Sequence, residues 1–537
     1  MPDLLIQNVE IADGAGQPAF FGEISVQNGK ISEIRNRGSG IGDYGPRLTA
    51  VPGFIDIHRH GDLVPFGSGE EGEELRQGIS FFINGSCGYS PVPSRAKFFP
   101  LLQGYARPVM GEIPDRLCGL GFAGLRRELE QTPLYSGMGC LCGGGAVRIA
   151  VKGFDNSPMR TGEMDAVLGL IDDELDAGTF GLSLGLMYAP EHYYSVEELV
   201  KICRVPARRN RPVVVHLWQE GSGLPDSLEK IIGIARQSGA AFHISHLKIT
   251  GRQNWGTIGR ALDRIDAARR EGLDLTFDAY PYDAGSTALY ALLPPSRLNR
   301  GLAALLDSLR EPETRRAITA ELRDEDSGWY NMISGVGWQG VVIAGGRDPT
   351  LAGLSVEDIA ARRGCGSEDC AFDLLLENDG NIPVILFSMS MEDVDQILGA
   401  PGAIVISDSI YTRGGFPHPR RFGSQARFLS RYADQHNGHV FEQALCAVTS
   451  LPAQRFGLKD RGVLRVGAAA DIVLLDRSRF RDTAVYENPV QYPQGIAEVF
   501  IAGKPAFREH EGLSGPTGLS SPSGLLGKYG RLAVCES

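Results

Sequence analysis

Arg211-Pro212-Val213-Val214-Val215-His216 is a nearly unbroken apolar run that ends on an imidazole. Its length and its three β-branched valines read as a strand buried on both faces, the kind found in parallel sheets. The text on either side is helical. Ser195 and Glu198 form a capping-box pattern that opens a helix before the strand, and a helix-like stretch from Asp226 to Ser238 follows it, with Gly239 as its stop. Next come Ala241-Phe242-His243-Ile244-Ser245-His246, a further helix through Ile265 and Arg270, and Leu273-Asp274-Leu275-Thr276-Phe277-Asp278-Ala279-Tyr280. Buried strands alternating with helices imply a parallel sheet. The rhythm runs from about residue 51 to 455, which suits a (β/α)8 barrel with insertions. An open doubly wound sheet is the alternative, but no Gly-x-Gly-x-x-Gly turn follows a strand.

A chain of 537 residues exceeds one ordinary core, so more than one domain is expected. Residues 1–50 and 456–510 both read as short strands, among them Leu4-Leu5-Ile6, Glu23-Ile24-Ser25-Val26 and Asp471-Ile472-Val473-Leu474-Leu475. Neither stretch can bury a core alone, which predicts one small β-sandwich built from both termini, with the barrel inserted between them. Residues 283–345 interrupt the barrel rhythm and predict an inserted, mostly helical subdomain. Residues 511–537 have the Gly, Ser and Pro content of a flexible tail.

Lys plus Arg number 53 against 65 Asp plus Glu, a net charge of −12, which disfavours partnership with nucleic acid or anionic membrane. No window reaches the eighteen or more apolar residues of a membrane span. The nine cysteines are scattered and odd in number, and no signal peptide is visible, so a cytoplasmic location is expected. Oligomeric state is not legible.

Chemistry enters at strand ends, where a barrel places its functional groups. Pro52-Gly53-Phe54-Ile55-Asp56-Ile57 leads into His58-Arg59-His60, and residues two apart on a strand share a face, so both imidazoles point one way and Arg59 the other. Cys87 follows Phe81-Phe82-Ile83-Asn84-Gly85-Ser86, His216 and His246 close their strands, and Asp408 follows Ala403-Ile404-Val405-Ile406-Ser407. One strand-end histidine is ordinarily a satisfied hydrogen-bonder, and one cysteine ordinarily packing. Six such groups at the same end of their strands instead predict a centre for zinc or another borderline divalent metal. His243, three residues before His246, falls on the opposite face and is assigned a structural role.

Val51-Pro52-Gly53-Phe54-Ile55-Asp56 with His58 and His60 resembles the first metal motif of the amidohydrolase superfamily. Longer runs resemble its D-aminoacylase (N-acyl-D-amino-acid deacylase) branch: Gly85-Ser86-Cys87-Gly88-Tyr89-Ser90-Pro91, Gly181 to Pro190, Ile244 to Lys248, Tyr280 to Thr287, Ser407-Asp408-Ser409 and His418-Pro419-Arg420. The resemblance covers residues 3 to about 505. It implies a metal-dependent barrel with a small β-sandwich, hydrolysing the amide of an N-acyl-D-amino acid, a small-molecule partner. It further implies Cys87, His216 and His246 as ligands of one tightly held zinc. His58 and His60 correspond to a second, weaker position, and Asp408 to the acid/base. Lys248, Tyr280, Ser286 and Arg420 correspond to the groups that hold the substrate's α-carboxylate.

Two departures stand near the implied mouth of the site. The family's Gly-His-x-x-Leu-Arg-like motif is here Gly143-Gly144-Gly145-Ala146-Val147-Arg148, and Trp218 stands where an arginine is usual, although Glu220 remains. Two alternatives therefore accompany the main reading: a hydantoinase- or dihydroorotase-like hydrolase of cyclic amides, and a catalytically altered metal-binding relative. The preferred side chain is not legible, although Arg413 and Arg421 could favour an acidic one.

Overall fold

The computed structural model describes residues 2–37, 48–67, 72–324, 328–411, 415–432, 441–509, 524–525 and 527–535. Eight parallel strands form the barrel: β1 Phe54–Asp56, β2 Ile79–Asn84, β3 Gly137–Cys140 prolonged by Cys142–Gly143, β4 Leu182–Gly185, β5 Val213–His216, β6 Phe242–Ile244, β7 Leu275–Ala279 and β8 Ala403–Val405. Neighbours pair in that order, β1 with β2, β2 with Gly137–Cys140 of β3, and Cys142–Gly143 of β3 with β4, then on through β8. The ring closes where the chain beyond β8 meets the chain beyond β1: Arg59 bridges Ser409 in parallel, and the His60 amide donates to the Ser409 carbonyl at 3.0 Å.

The local reasons are those of the sequence. Val213, Val214 and Val215 are fully buried between β4 and β6. Helix Val196–Arg208 starts at Ser195, whose hydroxyl accepts from the Glu198 amide at 3.2 Å while Glu198 accepts from the Ser195 amide at 2.8 Å. Helix Leu224–Ser238 stops at Gly239, whose φ of 72° only glycine adopts without strain.

The terminal strands make one eight-stranded sheet, in the order 524–525, Lys504–Arg508, Ile496–Ile501, Ile472–Leu475, Thr49–Pro52, Leu4–Ile11, Phe20–Gln27, Lys30–Asn36. Alternation along Ile472–Leu475 explains how it docks. Ile472 and Leu474 join a small core with Ile6, Ile24 and Phe500, whereas Val473 and Leu475 face the barrel core.

The interruption of the barrel differs from the expected helical 283–345. Strands Ala284–Ala288, Val341–Ile343 and Pro383–Phe387 form an antiparallel sheet with Pro383–Phe387 in the middle, so the inserted unit reaches residue 387 and carries a sheet as well as helices. Pro383–Phe387 is apolar enough for a barrel strand, but its partners run antiparallel to it. The tail also differs. Residues 511–523 lie outside the described residues, but 527–535 return to the barrel: the Met138 amide donates to the Arg531 carbonyl at 3.0 Å, the Ala533 amide to Met138 at 2.7 Å, and the Cys535 amide to Gly178 at 2.9 Å. Gly and Ser content predicted flexibility, whereas backbone pairing with the start of β3 holds the last turn of chain. Deleting residues 527–537 is expected to cost about 1–3 kcal/mol through these lost hydrogen bonds, read as a lower thermal midpoint. An unchanged midpoint would mean that the segment contributes nothing to the barrel.

Candidate metal centre

The groups sought from sequence converge at the C-terminal rim of the barrel. His58 and His60 follow β1, Cys87 follows β2, His216 ends β5, His246 follows β6 and Asp408 follows β8, and all six are buried. Three of them occupy left-handed backbone: φ is 53° at Cys87, 34° at His246 and 48° at Asp408. Such conformations cost roughly 1–3 kcal/mol each in non-glycine residues and persist only where surrounding structure enforces them. Here the Asp408 amide donates to the His58 carbonyl at 2.9 Å, and the His246 amide to the Asp278 carboxylate. Next to Cys87, the Gly88 amide donates to Ser183 Oγ at 3.1 Å.

Cys87 Sγ lies 3.3 Å from His58 Nε2 and 3.4 Å from His246 Nε2. Asp408 Oδ1 lies 3.2 Å from His60 Nε2 and 3.5 Å from His58 Nε2. Three overlapping donor groups result, each with its atoms within 4.8 Å of one another: His58, Cys87 and His246; His58, His60 and Asp408; His216, Glu220 and His246. All six sequence candidates therefore share one centre. Their grouping differs from the one implied, because Cys87 sits with His58 and His246, while His216 stands beside Glu220 with its ring 4.4 Å from that of His246.

The donor set fits a divalent cation. Burial works against the Cys87 thiolate, but His58 and His246 outweigh it and hold the thiol well below its usual range. Burial likewise opposes the Asp408 carboxylate, and Arg420, His58 and His60 overcome it. Protons meet this anionic excess among the protein groups themselves: despite burial, and against the repulsion of Lys248, His246 is raised to about 9 by Cys87 and Glu220, and His58 is raised by Cys87 and Asp278. A cation displaces such protons when it binds. Cys87, Asp408, Glu220 and Asp278 are four anions against Lys248 and Arg420, an excess that one divalent ion cancels. His216, meanwhile, has both ring nitrogens buried and in no hydrogen-bond geometry among the described residues.

Two groups were missed from sequence. Asp278, at the end of β7, accepts from His58 Nδ1 at 3.4 Å and pairs with His243 Nε2 at 2.8 Å. It thereby fixes the His58 tautomer so that Nε2 faces the centre, and its polar place after Leu275-Thr276-Phe277 was the signal available. His243 supports the centre through the Asp278 carboxylate that it shares with His58; the alternation used to set it apart from His246 does not reach that far, because β6 ends at Ile244. Glu220 is the second, accepting from Lys248 Nζ at 2.7 Å and lying 3.1 Å from His246 Nδ1.

Lys248, Tyr280 and Ser286 line a cavity over the centre, together with His60, Cys87, His216, His246 and Asp408. Arg420 stands at its edge, Nη1 2.9 Å from Asp408 Oδ2 and its guanidinium 4.5 Å above the Tyr280 ring. Arg421 is elsewhere: its guanidinium binds Glu73 at 2.7 Å and does not line the cavity. Arg413 lies outside the described residues.

Both departures have a structural account. A Cβ on Gly144 would meet Glu191 Oε1 at 2.5 Å and Leu184 Cδ2 at 2.8 Å, so the space for a larger residue is already taken. Glu191 is fully buried against Gly88, Gly144 and Gly145, with Oε2 accepting from the Gly185 amide at 3.1 Å. Trp218 packs under Lys230, whose Nζ is 5.5 Å from the ring, and is absent from the cavity lining.

Residues 337–507 match the model of the amidohydrolase family. The chain is 29% identical over 517 residues to an N-acyl-D-glutamate deacylase of Alcaligenes xylosoxydans xylosoxydans, covering 94% of this chain and 93% of that one. Among solved structures it resembles the Bordetella bronchiseptica N-acyl-D-glutamate deacylase complexed with zinc and a phosphonate mimic of the tetrahedral intermediate, with 28% identity, a TM-score of 0.79 and 99% of each chain covered. It also resembles a D-aminoacylase that defines a novel subset of amidohydrolases, with 25% identity, a TM-score of 0.80 and full coverage of both chains. Gly144→Ala is expected to destabilise by about 1–3 kcal/mol through overpacking, and much less in a Glu191→Ala background. Chemical denaturation of the four proteins measures this coupling, and additive effects would show that the two residues do not share the space.

Proposed function

We propose that the chain is a member of the D-aminoacylase branch of the amidohydrolase superfamily and hydrolyses N-acyl-D-amino acids to a carboxylate and a free D-amino acid, with zinc as cofactor. The convergence of Cys87, His58, His60, His216, His246 and Asp408 on one buried centre carries the reading. Cys87, His246 and His216 would hold zinc, with His58 shared between it and a second, weaker position beside His60 and Asp408; the ion would supply Lewis acidity, bringing the pKa of water toward ~7 and polarising a carbonyl.

Asp408 takes a proton from the attacking water and returns it to the departing amine nitrogen, a poor leaving group until protonated. Its carboxylate is ionised at the start, held so by Arg420 and the neighbouring imidazoles against its burial. Arg420, Lys248, Tyr280 and Ser286 surround the place for the α-carboxylate, and a planar guanidinium suits a two-oxygen anion. The rest of the cavity wall mixes apolar groups, Val109, Met187, Met332, Val336, Leu386 and Ile410, with three tyrosines, Thr250, Thr287, Ser388 and Glu220, and among the described lining Lys248 is the sole lysine or arginine. This supports an apolar substrate side chain. The nine cysteines form no disulfide, in keeping with a cytoplasmic location.

N-Acetyl-D-methionine is expected to be cleaved by the zinc-loaded protein, its L-isomer not, and N-acetyl-D-glutamate more slowly. Bound zinc without turnover of a broad N-acyl panel would overturn the reading. Asp408→Asn is expected to keep zinc and lose about 10²–10⁴-fold in kcat; a rate near that of the unaltered protein would remove Asp408 from proton transfer.

A further inference from the structure

Behind the centre lies a second set of buried charges that the reaction does not touch. Asp56, Arg59, Glu73, Glu74, Tyr411 and Arg421 are all buried. Arg59 reaches Asp56 through Nη1 at 3.2 Å and, through Nη2, Glu73 at 3.2 Å and the Tyr411 hydroxyl. Arg421 grips the other side of Glu73, Nη2 to Oε2 at 2.7 Å and Nε to Oε1 at 3.3 Å. Gln77 ties the same segments by backbone, donating to the carbonyls of Glu73 at 3.1 Å and Arg421 at 2.9 Å. Asp56 accepts from the Ser407 amide at 3.2 Å and from its hydroxyl at 2.5 Å.

The sequence positions of this set are informative. Arg59 stands between His58 and His60, Asp56 two residues before His58, Ser407 next to Asp408, and Arg421 next to Arg420. Front and back of the same backbone thus carry the site and the network. Glu73 joins the two guanidiniums by ion pairs, with the Tyr411 ring against both, and so links the end of β1 to the start of helix Arg420–Tyr432.

We propose that Glu73 is a positioning residue for the carboxylate-binding arm of the site, acting through Arg421 to hold the helix start that carries Arg420 over Asp408. The inference rests on the reading that Arg420 receives the substrate's α-carboxylate. Losing the charge at Glu73 leaves Arg421 held by the Tyr411 and Phe422 rings and by Gln77 at its carbonyl, which loosens the first turn of the helix, and a shift of about 1 Å is enough to spoil two-oxygen recognition. Cys87, His216 and His246 are carried by β2, β5 and β6, outside the network, and stay in place.

The test is steady-state kinetics on zinc-loaded Glu73→Gln, Glu73→Asp and Arg421→Lys, with zinc quantified in the same samples and Arg420→Ala as reference. Glu73→Gln is expected to raise KM for N-acetyl-D-methionine at least tenfold with zinc content unchanged, any fall in kcat through the Arg420–Asp408 pair being smaller than the rise in KM. Glu73→Asp should recover part of the KM, and Arg421→Lys, which keeps the charge without the fork, should raise it. Should Glu73→Gln not fold, Arg421→Lys decides. An unchanged KM, or loss of zinc in step with kcat, overturns the proposal and leaves the network a purely structural element. The two readings fail differently: an unchanged KM in Arg420→Ala removes the carboxylate arm itself, whereas a raised KM there with none at Glu73 or Arg421 removes only the link proposed here.

Discussion

Two backbone hydrogen bonds close the barrel at the place where its chemistry sits, from the His60 amide to Ser409 and from the Asp408 amide to His58. A parallel ring of eight strands must meet itself somewhere, and here the seam runs between two histidines and a carboxylate. The consequence is geometric. Asp408 Oδ1 comes within 3.2 Å of His60 Nε2 because their backbones are hydrogen-bonded neighbours. Left-handed backbone at Cys87, His246 and Asp408 then turns each side chain inward at the end of its strand, at a cost that the packed rim sustains.

An excess of negative charge in a buried, water-poor rim is the second constraint. Isolated anions are costly there, so each needs a nearby positive partner. Lys248 answers Glu220 and Arg420 answers Asp408, and what remains calls for protons or a cation. The site's two long cations are thus oriented before any substrate arrives, both beside the cavity that a carboxylate would enter.

Much of this was legible in the sequence, and the reasons are local. Val213-Val214-Val215 can only be a strand buried on both faces, and residues two apart on a strand had to put His58 and His60 together with Arg59 behind them. Partners set by tertiary contact were not legible. Asp278 looked like the polar end of another strand until His58 and His243 met on it, and nothing near Glu73 signals that Arg59 and Arg421 converge there from distant segments. Composition misled at the C-terminus, where residues 527–535 pair by backbone, an interaction that side-chain content does not report. The extent of the inserted unit was misjudged, since an apolar strand such as Pro383–Phe387 reads alike whether it joins a barrel or a small antiparallel sheet. The glycine at 144 was an unexplained gap in a motif until its neighbour Glu191 was seen to fill the volume.

The central claim is that a thiolate and imidazoles from separate strands share one metal ion. X-ray absorption at the zinc edge on the loaded protein tests it most directly. The account predicts one sulfur neighbour at about 2.3 Å with nitrogen and oxygen neighbours at about 2.0–2.1 Å, the sulfur contribution vanishing in Cys87→Ser. A spectrum of nitrogen and oxygen neighbours alone would contradict it.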